Sequence, residues 1–191
     1  MRLRLPISLF LLSSAAMAQQ ITLRGKVEDA AGGNQFVVDC SSTRLTSATF
    51  DLNTFVGQQV LITGTQVGTP QAPLVEVATI AVIPEIFEIP GNPEVGNELR
   101  FGATHTPGAR VSFFVALGPG FRRVGRAGTF MLDLSTTVFA TAGTIPAPGN
   151  LELVIPLPND PALIGRDVHA QALLFSGGAL VISNPDCKTI R

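Results

Sequence analysis

Over residues 20–83 hydrophobic and polar side chains alternate with a period of two, the repeat of half-buried β-strands. Ile21, Leu23, Gly25 and Val27 share one face of the first strand, and Thr22, Arg24, Lys26 and Glu28 share the other. A turn follows at 30–34, where Gly32 and Gly33 tolerate positive φ. Phe36, Val38 and Cys40 then alternate with Gln35, Val37 and Asp39, and a third strand is predicted over 44–50. Asp51-Leu52-Asn53-Thr54-Phe55-Val56-Gly57 reads as a short helix. Asp51 caps its first amides, Leu52, Phe55 and Val56 face inward, and Gly57 ends it. Strands over 59–66 and 74–82, joined by a loop at 67–73, complete the unit.

Residues 86–91 form a joint punctuated by Pro and Gly, and a second set of short strands begins beyond it. Strands are predicted at 98–103, 110–117, 129–134, 150–155, 167–175 and 179–182, with turns at Pro107-Gly108, Gly118-Pro119-Gly120, 146–149 and Gly177-Gly178. Short strands at this spacing point to an antiparallel sandwich. The predicted fold class is therefore all-β: a small five-stranded barrel over 19–85, followed by a β-sandwich over 86–191.

Two resemblances attach to these halves. Three strands, a short helix and two strands is the order of the OB-fold, and "LRGKVED", "DLNTFVGQQVLITGT" and "LVEVATI" resemble its first strand, its helix with fourth strand, and its closing strand. The second half resembles an uncharacterised β-sandwich module found near the C-termini of secreted bacterial proteins. The resemblance rests on Gly91–Gly96, Pro158–Gly165, Ala170-Gln171-Ala172 and Ser183-Asn184. The sequence departs from that module at Pro185-Asp186-Cys187, which stand in place of a simple final strand. The resemblances imply fold and export, and carry no activity.

Composition narrows the picture. The chain has 191 residues and is 46% hydrophobic but 14% charged, which excludes disorder, and its 19 Gly and 14 Pro argue against a coiled coil or helical bundle. Arg2 and Arg4, an apolar run at 6–12 and Ala16-Met17-Ala18 have the three parts of a secretory signal peptide, with cleavage expected before Gln19. No stretch is long and apolar enough to predict a transmembrane segment. Removing Arg2 and Arg4 from the 13 Lys and Arg leaves 11 basic against 14 acidic residues, a net charge of −3. Cys40 and Cys187 are a disulfide candidate in an exported chain. Two buried free thiols are the alternative, favoured by Cys40 sharing a strand face with Phe36 and Val38.

A search for chemistry finds little. His105 precedes a turn and His169 is out of phase with Val168, Ala170 and Ala172, so both read as outward-facing, and no G-x-S-x-G motif accompanies them. No H-x-H, H-E-x-x-H or C-x-x-C predicts a metal, and Asn92, Glu94, Asn97 and Glu98 lack the spacing of a calcium loop. No cofactor is expected. Without Trp or Tyr, sugar stacking falls to Phe. Arg122, Arg123 and Arg126, set among glycines, suit either an anion or a solvated hairpin that protects a strand edge. The surface that OB-folds use maps onto Gln35, Val37, Asp39, Arg44 and Thr46, with loops at 32–34 and 68–72. It lacks the positive charge and aromatics that nucleic acid requires. The expectation is a secreted, non-catalytic binding or structural protein of the envelope or extracellular space, with an unidentified protein or glycan partner. Alternatives are a glycan-binding module using the barrel face or arginine loop, and a small carboxylate-dependent hydrolase. Low charge leaves self-association open.

Overall fold

The computed structural model describes residues 19–30 and 35–191. The expected signal peptide and residues 31–34 of the expected glycine turn lie outside the described residues. Strands β1 (Gln19–Asp29), β2 (Phe36–Val38), β3 (Arg44–Thr46), β4 (Gln59–Gln66) and β5 (Leu74–Val82) close into a barrel in the order β1-β2-β3-β5-β4. β3 and β5 run parallel, with Leu45 opposite Val75, and the other neighbours are antiparallel. β1 serves two partners: its residues 19–26 pair with β4 and 27–29 with β2. Gly25 lies near that handover, where a Cβ would collide with Val38 Cγ1. The predicted helix is a single 3-10 turn, Leu52–Phe55, whose first amides Asp51 caps through Asn53 N at 3.1 Å. Leu52 is buried and Phe55 half-buried, but Val56 is exposed, so the inward face is narrower than expected.

The second half is a sandwich. One sheet holds β6 (Phe87–Glu88), β7 (Glu98–Thr104) and β12 (Asn150–Pro156) in the order β12-β7-β6. The facing sheet holds β8 (Arg110–Ala116), β11 (Val138–Thr144), β13 (Asp167–Ser176) and β14 (Ala179–Thr189) in the order β11-β8-β13-β14. Between them the rings of Phe101 and Phe113 stack at 5.2 Å, and Phe87 lies 5.8 Å from Phe113. β9 (Pro119–Val124) and β10 (Gly128–Leu132) form a hairpin outside both sheets.

That hairpin joins the halves. All five residues of β10 are buried. Met131 enters the barrel core beside Val27 and Val38, while Phe130 and Leu132 pack with Ala116 and Ile182. Strand alternation thus sends neighbouring side chains into two interiors. The fully buried Gln171 accepts from Met131 N at 2.8 Å and donates to Thr129 O at 3.3 Å and Ser183 O at 2.7 Å. Ser183 Oγ accepts from Ala172 N at 2.8 Å, and Asn184 Nδ2 donates to Phe87 O at 2.7 Å. The Ala-Gln-Ala and Ser-Asn motifs therefore stitch sheets together, as buried polar groups must find partners.

Several expectations are corrected here. The turn expected at Gly118-Pro119-Gly120 narrows to a bend at 117–118, since β9 begins at Pro119; β9 has no counterpart among the expected strands, and neither has β11. Its edge position and the register shift between Phe139 and Thr141 break the period-two signal. β3 is shorter than 44–50, because the chain bends after Thr46. β14 runs through Pro185-Asp186-Cys187 to Thr189, with Pro185 placed where the register shifts against β13. His169 is buried, not outward, because the barrel covers that face, and its Nδ1 lies 3.2 Å from Cys40 O. Cys40 stands beyond β2 in a turn with φ +56°, free of the Phe36/Val38 face, and it is disulfide-bonded to Cys187.

Candidate functional site

A cleft opens where the halves meet, and the residues that precede the two disulfide cysteines help to line it. Asp39, before Cys40, and Asp186, before Cys187, both line it, with Lys26 from β1, Gln59 from β4, Glu85 from the connection, Glu88 from β6 and Lys188 from β14. The cleft has a volume of about 350 Å³. Lys26 Nζ lies 3.3 Å from Glu28 and 4.0 Å from Asp39, and Lys188 Nζ lies 3.8 Å from Asp186. Asp186 also accepts backbone bonds from Ile89 N at 2.6 Å and Cys187 N at 2.8 Å, tying the connection to β14. Glu85 Oε1 accepts from Asn184 Nδ2 at 3.4 Å.

Acids outnumber bases among the lining residues, and the Glu85 carboxyl responds. Partial desolvation raises its pKa first, the nearby charges of Asp186 and Glu88 raise it further, and Lys188 and Lys26 oppose them. Gln59 Nε2 is buried without a hydrogen-bond partner. A raised carboxyl in an inter-domain cleft is a known mark of function, and of structural charge networks too. Asp186 is largely committed to the second role by its backbone bonds. Asp39, Cys40 and Cys187 cluster tightly, but both sulfurs are spent in the disulfide and cannot ligate a metal as thiolates.

The residues singled out from the sequence do not converge. Val37 and Arg44 are paired neighbours on β2 and β3, and Gln35 is exposed before β2. Thr46 lines a separate depression with Ser47, Phe50 and Asn53, while Asp39 belongs to the junction cleft. Arg122 and Arg123 lie on β9 and Arg126 in the hairpin turn, all exposed. Asn97 donates to Glu94 at 3.0 Å and Glu98 pairs with Arg100 at 3.2 Å, so these groups satisfy one another. Lys26, Gln59, Glu85, Glu88, Asp186 and Lys188 escaped sequence reasoning. They come from distant segments, and no local spacing announces them.

Among the described residues no helix is long and apolar enough to cross a membrane. Compared with protein-family models, curated proteins and solved structures, the chain matches none.

Proposed function

We propose that this chain is an exported, non-catalytic binding or structural protein of the cell envelope or extracellular space. The observation that carries the reading is the Cys40–Cys187 disulfide, which locks the barrel to the sandwich across 147 residues of sequence. Such a bond persists in oxidising compartments, which agrees with the signal-like segment before Gln19. The strand order β1-β2-β3-β5-β4, with parallel β3 and β5 and a helical turn before β4, supports reading the barrel as an OB-fold. Two rigid β units fixed in one orientation present permanent surfaces, which suits recognition without chemistry.

The intact mass of the exported protein tests export and pairing together. A chain beginning at Gln19 that takes up no alkylating reagent before reduction supports the reading. An uncut chain, or two freely alkylated thiols, contradicts it. The second reading is a carboxylate-dependent hydrolase working in the junction cleft, favoured by the raised Glu85 beside Asp186 and Glu88. Turnover of a glycan or ester by pure protein, lost in Glu85→Gln, would replace the first reading with the second.

A further inference from the structure

The hairpin that plugs the barrel carries a second feature. Between Gly118 and Leu132 the chain holds three arginines and no acidic residue. The next acid, Asp133, is bonded to Ser135 N and Oγ, and those bonds lower its pKa. Among the described residues none of the Arg122, Arg123 and Arg126 guanidiniums has an ion-pair or hydrogen-bond partner. Arg122 and Arg123 line one side of a depression of about 330 Å³ whose opposite side is the barrel rim, where Gln19 of β1 and Gln66 of β4 are paired neighbours. Gln66 Nε2 donates to Gly68 O at 3.2 Å, which holds the side chain on the barrel rim. The arginines stand on a fixed support: Phe121 packs on the barrel core, Thr129 Oγ1 donates to Thr22 O at 2.8 Å, and Gln171 holds the β10 backbone.

We propose that this lip between hairpin and barrel binds an anionic polysaccharide whose sugars carry carboxylate groups. The guanidinium fork matches a carboxylate bidentately, and the two carboxamides offer donors and acceptors suited to sugar hydroxyls. A volume of this size admits a sugar unit, and the open sides let a polymer pass through. Nucleic acid fits less well: Phe121, half-buried against the barrel core, is the one aromatic side chain lining the depression among the described residues, and the basic stretch is short on a chain with 11 basic against 14 acidic residues beyond residue 18. A membrane surface fits less well too, because Val124 is the only exposed large hydrophobic side chain on the described hairpin. The proposal deepens the non-catalytic binding reading and rests on it.

The test measures binding of polygalacturonate to the full exported chain, with neutral dextran, phosphatidylglycerol vesicles and a single-stranded oligonucleotide as parallel probes. Saturable, salt-sensitive binding of polygalacturonate is expected, with dextran inert. Arg122→Gln with Arg123→Gln and Arg126→Gln weakens it at least about tenfold. The triple Lys variant restores only part, since charge returns without the fork. Gln19→Ala with Gln66→Ala weakens polygalacturonate binding about threefold, an effect that attraction to charge alone would not give. No saturable binding at low salt, binding indifferent to the Gln triple variant, or preference for vesicles or oligonucleotide overturns the site and leaves the non-catalytic reading standing. Binding followed by shortening of the polymer overturns the non-catalytic reading and leaves the site standing.

Discussion

The barrel and the sandwich fill their interiors differently. The sandwich core, from Phe87 to Ile190, is built entirely from residues of its own half. The barrel core draws on Ile21, Leu23, Val60, Ile62 and Val75, and then takes Met131 and the flank of Phe121 from the other half. A barrel of this size buries too little surface to be secure alone. The difference teaches that the dependence runs one way. The sandwich can lose the barrel and keep its core, whereas the barrel that loses the sandwich loses part of its filling and its disulfide anchor.

The largest expected effect comes from removing that anchor. Cys40→Ser with Cys187→Ser frees a loop of 147 residues and is expected to cost about 5 kcal/mol. Calorimetry should resolve a barrel transition moving below the sandwich transition; equal downward shifts of both would break the asymmetry. Next comes Met131→Ala, which opens a cavity in the barrel core and is expected to cost about 3 kcal/mol. Hydrogen exchange should place the loss of protection on β1, β4 and β5 more than on β8 and β13. The smallest effect belongs to Glu85→Gln. A raised carboxyl means the folded chain holds that proton where the unfolded chain has released it. Stability therefore falls as pH rises from the unfolded pKa to the raised one, and stays lower above it. The variant should match the wild type near about pH 4 and slightly exceed it near about pH 7, as read by denaturant midpoints.

How much of this was legible differs between the halves. β4 and β5 fall where the alternation places them, because a closed barrel with one wet face writes its pattern in period two. The Asp51 cap is equally local. In the sandwich half the pattern fails where the surroundings change. β13 is buried on both faces from Val168 to Ala172 because β10 covers Gln171 and the Cys40 turn covers His169, so His169 reads as outward and is not. β10 is buried throughout for the same reason, its neighbours belonging to two cores. The junction cleft was invisible, since Lys26, Gln59, Glu85 and Asp186 meet only after the chain has folded. The arginines were visible as residues, but the barrel rim opposite them was not.

Native-state hydrogen exchange on the oxidised wild-type protein tests the one-way dependence most directly. The account predicts that the amides of Phe113, Ala172 and Leu174 open only with global unfolding, and that those of Ile62 and Val77 open at a free energy no higher and fall further behind on reduction of the disulfide. Barrel amides that outlast the sandwich amides, in either redox state, would contradict it.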